Sequence, residues 1–165
     1  KSGISLAELY DKSPAMLRYY KGVERYYFIK ARQDTKFQDV DVAVYVGPAG
    51  CGKTRKACED NPSIYWVTNS PSGIWWDGYI GQEAILFDDF YGWCKYSQLL
   101  RLLDGYRFQL PIKGGFTWKS WTRVVITSND LPDTWYSRGM DPALRRRITR
   151  VCQFEEDGTF SEISF

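Results

Sequence analysis

An α/β fold built on buried strands follows from three features of the 165-residue sequence. An apolar run, Val42 to Val46, leads straight into Gly47-Pro48-Ala49-Gly50-Cys51-Gly52-Lys53-Thr54, which fits G-x-x-x-x-G-K-[ST]. Two further apolar runs, Ala84 to Phe87 and Thr122 to Thr127, end in polar pairs, Asp88-Asp89 and Ser128-Asn129. Strands that carry polar chemistry at their carboxyl edges, with helix-length segments between them, are the pattern of a P-loop nucleoside-triphosphatase fold.

The chain is long enough for one sizeable core, or for one domain and a small appendage. Its 22 Lys and Arg against 20 Asp and Glu leave a net charge of +2, so any nucleic-acid contact must come from local patches. No apolar run is long enough to span a membrane. The opening Lys1-Ser2-Gly3-Ile4-Ser5 has neither an initiator methionine nor the pattern of a signal peptide, as expected of a fragment or a processed chain. Four scattered cysteines, Cys51, Cys58, Cys94 and Cys152, and the absence of histidine argue against a disulfide framework or a zinc site. They also remove Ser-His and Cys-His catalysis. Aromatic residues make up 17% of the chain, enough to pack a core and still leave some for stacking or subunit contacts.

Residues 1 to about 38 read as a separate helical segment. Ser5 with Glu8 forms a candidate capping box, and Ser13-Pro14 reads as an N-cap and first-turn proline. Beyond them Met16, Tyr19 or Tyr20, Val23 and Tyr27 make one apolar stripe, to be buried either on the chain's own core or against neighbouring subunits. Gln33 to Asp39 is polar and reads as a linker.

The glycine-rich loop follows. Its glycines let successive N–H groups face an anion, Lys53 adds a point charge for the β and γ phosphates, and the Thr54 hydroxyl can ligate Mg²⁺. The helix it opens ends near Asn61-Pro62. Ser63 to Val67 reads as a strand, followed by a loop over Asn69 to Gly73; the tryptophans of Trp75-Trp76-Asp77-Gly78-Tyr79 suit anchoring a loop better than touching DNA. Adjacent carboxylates at the end of a buried strand are costly without a cation. Asp88 therefore suits holding Mg²⁺ or its water shell, and Asp89 suits polarising the water that attacks the γ phosphate.

Tyr96 to Leu103 suits an amphipathic helix ended by Asp104-Gly105, and Tyr106 to Leu110 a strand. Pro111-Ile112-Lys113-Gly114-Gly115-Phe116 makes a turn and return. Lys113 at that tip is either a solvated turn lysine or a phosphate-backbone contact, helped by Lys119 and Arg107. Asn129 fits a group that orients the attacking water and senses the γ phosphate. Asp141-Pro142 opens a final helix through Arg147, and Ile148 to Phe154 reads as a closing strand. The run Arg145-Arg146-Arg147 is either a solvated face or the source of a second cation for the γ phosphate, supplied by a neighbouring subunit. Residues 155–165, with Glu155-Glu156-Asp157 and Glu162, form an acidic tail that is a candidate for disorder and is no DNA-binding surface.

Together these residues resemble the superfamily 3 helicase domain of replication-initiator (Rep) proteins of small circular single-stranded DNA viruses, of the circovirus, nanovirus and alphasatellite kind. The likeness runs from about Asp11 to Phe154. It is carried by Trp75-Trp76-Asp77-Gly78-Tyr79, Asp88-Asp89-Phe90-Tyr91-Gly92-Trp93, Lys113-Gly114-Gly115, Thr127-Ser128-Asn129 and Arg146-Arg147-Ile148-Thr149. The resemblance implies an AAA+-like core over residues 39–154, with a parallel sheet of order 5-1-4-3-2, and an oligomerisation segment over residues 1–38. It implies a hexameric ring that uses ATP and Mg²⁺ to move on single-stranded DNA, in the host cell nucleus. By that likeness Lys53 and Thr54 belong to Walker A and Asp88 and Asp89 to Walker B. Lys113 sits at the hairpin lysine and Asn129 at the motif C sensor, with Arg147 first and Arg146 second as the arginine finger. Members of this kind also carry a histidine-containing endonuclease domain; with no histidine, this chain is not expected to nick DNA.

The alternatives are a non-translocating P-loop ATPase acting as a loader or switch, and an RNA helicase of the same superfamily. A GTPase fits less well, because no Asn-Lys-x-Asp segment follows Asp88-Asp89. A purely structural DNA-binding module would leave Asp88, Asp89 and Asn129 without a purpose.

Overall fold

The computed structural model describes residues 6–31 and 36–165. The chain divides into two compact units, Lys1–Lys36 and Phe37–Phe165. The first consists of α1 (Leu6–Lys12), a 3-10 helix (Pro14–Tyr19) and α2 (Tyr20–Ala31). Ser13 makes no side-chain cap; its carbonyl instead accepts the Met16 N–H at 2.9 Å, and the turn opened by Pro14 winds as 3-10 rather than α. Of the apolar stripe, Met16, Val23 and Tyr27 are half-buried while Tyr19 and Tyr20 stay exposed, as do Leu17, Tyr26 and Ile29. The expected capping serine Ser5, and residues 33–35 of the expected linker, lie outside the described residues.

The second unit is a mixed α/β fold, a multi-stranded sheet with flanking helices. Its strand β1 (Asp41–Val46) leads through the glycine-rich loop to α3 (Lys53–Asp60) and then β2 (Tyr65–Trp66). A small hairpin, β3 (Asn69–Ser70) and β4 (Gly73–Ile74), precedes β5 (Ala84–Phe87) and α4 (Tyr96–Leu103). A second hairpin joins β6 (Gln109–Ile112) to β7 (Gly115–Trp118). The chain continues with β8 (Arg123–Ser128), α5 (Pro142–Arg145), β9 (Arg150–Phe154) and β10 (Phe160–Ile163).

The main sheet has the order β10-β9-β1-β8-β5-β2. Strands β9, β1, β8, β5 and β2 run parallel, and β10 is antiparallel to β9. Strand alternation splits β1 between two cores. Val42, Val44 and Val46 pack on one face with Leu99, Leu102 and Leu103 of α4, whose spacing puts them on one helix stripe. Ala43 and Tyr45 pack on the other face with Ala57 of α3, Leu86, Val125 and Phe154. Burial on both faces is why β1, β5 and β8 read as unbroken apolar runs.

The acidic tail is not disordered. Gly158 turns the chain, with its N–H bonded to the Glu155 carbonyl at 3.0 Å, and Phe160 stacks on Phe154 with ring centroids 4.8 Å apart. The carboxylates of Glu155, Glu156 and Asp157 sit in the exposed turn, so their charge does not oppose the pairing of β10 with β9.

Beside the sheet, Trp76 stacks between Tyr65 (5.6 Å) and Trp121 (4.8 Å), while Tyr79 meets all three rings edge-on. The Trp121 indole N–H donates to the Leu102 carbonyl at 3.1 Å. This column joins β2, the Trp75–Tyr79 loop and the chain leaving β7. Of the tryptophan pair, Trp76 is the buried anchor, whereas Trp75 stays partly exposed with its indole N–H on the Ser72 hydroxyl.

Candidate active site

The glycine-rich loop leaves the carboxyl end of β1 close against β9. A Cβ on Gly47 would stand 2.4 Å from the Phe154 carbonyl oxygen, so only glycine fits there. Gly52 has a left-handed φ of 96° and, lacking a side chain, leaves the first-turn N–H groups of α3 without a side-chain cap. These amides, at the positive end of the helix dipole, suit an anion.

Lys53 is buried, and its ammonium donates to the carbonyls of Gly47 and Pro48 at 2.7 Å each and to Asn129 Oδ1 at 3.2 Å. The Cys51 sulfur lies 3.7 Å away. This single contact set joins the loop to the end of β8, where Asn129 emerges. From the first turn of α3, the Thr54 hydroxyl donates to Asp88 Oδ1 at 2.7 Å, and the Thr127 hydroxyl donates to the same oxygen at 2.8 Å. Three neighbouring elements, α3, β5 and β8, therefore fix the Asp88 carboxylate. Asp89 has a φ of 51°, the left-handed conformation that a short polar side chain tolerates best after glycine. Its N–H donates to the Thr127 hydroxyl at 2.9 Å, which sustains that conformation.

Lys53, Thr54, Asp88, Asp89 and Asn129 line one cleft of about 320 Å³, together with Ala49, Gly50 and Gly52 of the loop. Cys51 instead points into the core behind the loop. Two lining residues were given no role from the sequence, Thr127, named only as part of Thr127-Ser128-Asn129, and Arg55. Thr127 could have been found as the hydroxyl two residues before Asn129. Arg55, which directly follows Thr54, puts a second cation beside the cleft within the same chain, whereas the sequence pointed to a neighbouring subunit as the source of one.

The fit to Mg²⁺ rests on the donor set. Among the described residues no group of three or more His, Cys, Asp and Glu could hold a metal ion. A hydroxyl and a carboxylate hydrogen-bonded to each other, opening on a cleft lined by backbone amides, suit an ion that keeps several waters and takes its remaining oxygens from phosphate. Thr54 and Asp88 would hold it.

Other expected site residues lie elsewhere. Arg146 and Arg147 line a separate cavity of about 840 Å³ with Asp41, Arg123 and Thr149. Those residues stand at the amino-terminal ends of the parallel strands, whereas Lys53, Asp88 and Asn129 stand beyond the carboxyl ends. The six residues of β1 place the two edges about 17 Å apart, farther than an arginine side chain reaches. Arg147 is also held: it forms an ion pair with Asp104 at 2.5 Å and donates to the Ala143 carbonyl at 2.8 Å. Arg146 is exposed.

Lys113 projects exposed from the β6–β7 tip, with Phe116 exposed beside it. Lys119 corrects the expectation of a DNA contact. It is only 2% exposed, lies over the Trp121 ring and donates to the Trp121 carbonyl at 3.4 Å, so no phosphate can approach it. Burial pushes its ammonium down to about pKa 8. The Arg107 Nε–H donates to the Lys119 carbonyl at 3.1 Å, which makes Arg107 a brace at the hairpin base.

The family model described as RNA helicase matches residues 43–130. The chain is similar to the replication-associated protein of Beak and feather disease virus, 38% identical over 158 residues, covering 94% of this chain and 53% of that protein. It is similar to the replication-associated proteins of Pigeon circovirus, 36% over 160 residues and 95% and 49% of the two chains, and of Porcine circovirus 2, 35% over 174 residues and 97% and 55%. The chain spans about half the length of these relatives.

Proposed function

The chain belongs to the RNA helicase family and resembles the superfamily 3 helicase domain of Rep proteins from circular single-stranded DNA viruses, and from that premise we propose that it is an ATP-dependent DNA helicase domain of a rolling-circle replication initiator. The observation that carries this reading is the hydrogen-bonded set Lys53–Asn129 and Thr54–Asp88–Thr127 around a cleft at the carboxyl edge of the sheet. Residues 37–165 then form a P-loop core of the AAA+ kind, in which the strand order β9-β1-β8-β5-β2 corresponds to 5-1-4-3-2. The preceding helical unit serves oligomerisation, which its exposed Leu17, Tyr19, Tyr26 and Ile29 favour.

In this reading the loop amides and Lys53 bind the phosphates of ATP, the ammonium exchanging its loop carbonyls for phosphate oxygens. Thr54 and Asp88 would hold Mg²⁺, which would supply charge neutralisation to the phosphates. Asp89 takes the proton of the attacking water, and Asn129, already bonded to Lys53, senses whether the γ phosphate is present. The sheet separates both candidate finger arginines from their own cleft, so a finger would come from a second copy, as in a hexameric ring. Arg146 is the better candidate than Arg147, whose guanidinium is committed to Asp104. Lys113 contacts the phosphate backbone of single-stranded DNA, and the host nucleus is the corresponding site of action.

The description of the matching family favours one second reading, in which the strand moved is RNA. Backbone contacts alone do not separate the two sugars. The deciding experiment compares stimulation of ATP turnover by oligothymidylate and oligouridylate of equal length. Preference for the deoxy strand supports the DNA reading, and preference for the ribo strand replaces it.

A further inference from the structure

We propose that Asp77 is a positioning residue for the Lys113 hairpin, holding the tip in the conformation that meets the nucleic-acid backbone; the inference rests on the reading of Lys113 given above. The β6–β7 loop is only Lys113-Gly114, between the paired residues Ile112 and Gly115. Gly114 has a φ of 87°, whereas Lys113 is outside the positive-φ region. That combination belongs to an unprimed turn, whose twist opposes that of the two strands it joins. Such a tip needs support from outside the hairpin. It receives it from Asp77, whose Oδ1 accepts the Lys113 N–H at 2.7 Å.

The support is itself anchored. One residue before Asp77, the Trp76 N–H donates to the Pro111 carbonyl at 3.0 Å, a second tie between the same loop and β6. Trp76 is 1% exposed and stacks on Trp121, which lies three residues beyond the end of the hairpin's return strand. The Tyr65 hydroxyl donates to the Asp77 carbonyl at 3.1 Å. The backbone that carries Asp77 is therefore tied to its surroundings by three contacts, and from it the exposed carboxylate presents one acceptor to the Lys113 amide. Asp77 does not touch the strand itself; its effect on binding passes through Lys113.

The test is a double-mutant cycle on the full chain. Affinity for a fluorescent oligothymidylate is measured over a range of salt, and hydrogen exchange is measured at the Lys113 amide. Asp77→Ala should weaken binding about fivefold to tenfold and speed exchange at Lys113 by about tenfold. Asp77→Asn, which keeps an acceptor oxygen without the charge, should restore both to within twofold. In a Lys113→Ala background, Asp77→Ala should cost nothing further. Unchanged exchange at Lys113 in Asp77→Ala would overturn the proposal, as would equal losses in Asp77→Asn and Asp77→Ala or an undiminished loss in the Lys113→Ala background. If Lys113→Ala itself binds normally, the DNA-contact reading of the hairpin fails, while the exchange data still decide whether Asp77 holds the tip.

Discussion

The Thr54 hydroxyl donates to Asp88 Oδ1 across 2.7 Å, tying the first turn of α3 to the carboxyl end of β5. Two residues 34 positions apart thus meet at the point where the ion would sit. Thr54→Ala should raise the Mg²⁺ concentration needed for half-maximal ATP turnover about tenfold with little loss of fold. Asp88→Asn should lower turnover about a hundredfold at any Mg²⁺ concentration. A Mg²⁺ titration of both variants checks this.

Lys53 sits among carbonyls rather than in an ion pair, so its replacement should not leave a buried counter-charge. Lys53→Ala should therefore keep the thermal stability of the parent within about 1 kcal/mol, while losing at least a hundredfold in ATP turnover. Calorimetry and a phosphate-release assay on the same preparation check both halves.

The arginines should separate by what each touches. Arg147→Ala leaves Asp104 half-buried without its partner and should destabilise the fold by about 2 kcal/mol in urea. Arg146→Ala should leave the unfolding midpoint unchanged and lower turnover only under conditions where the chain assembles. Arg55→Ala, removing the cation at the same chain's cleft, should instead weaken nucleotide binding at every protein concentration. Equal stability of Arg147→Ala and the parent would show that the Asp104 pair contributes nothing.

Burial lowers the Lys119 ammonium from 10.5 to about 8. Between those values the unfolded chain holds a proton that the folded chain has released, so the Lys119 contribution to stability rises with pH across about 8 to 10.5, while the buried Cys94 thiol, pushed up from 9.0 to about 11, acts in the opposite direction. Below about pH 8 the full cost of burying the charge is present. That contribution should amount to about 3 kcal/mol. Lys119→Met should lack it and be more stable than the parent at pH 7, by a margin that shrinks as pH rises. Urea unfolding of both proteins from pH 7 to 10.5 measures the difference.

Much of this site was legible because local sequence sets its geometry. The apolar runs of β1, β5 and β8 end where Gly47, Asp88 and Asn129 begin, so the polar groups had to meet at one edge of a parallel sheet. Tyr96–Leu103 emerged at its expected bounds because three leucines at helical spacing face the core. Where partners distant in sequence decide, the residues alone were silent. Lys119 looked like a surface cation, yet the aromatic residues on either side of it, Trp118 and Trp121, were the sign of a buried strand end. Arg147 looked like a free finger because Asp104 lies 43 residues earlier, and the tail looked disordered because Phe160 finds Phe154 only once β9 is in place. Nothing in the spacing of Asp77 and Lys113 announced their bond.

The most direct measurement is ATP turnover by this chain across a range of protein concentrations, with and without oligothymidylate, while mass photometry follows assembly. Turnover per chain should climb as oligomers form, single-stranded DNA should raise it further, and Lys53→Ala should abolish both effects. Full turnover in a monomer indifferent to DNA would contradict the helicase reading and leave a simple P-loop ATPase in its place.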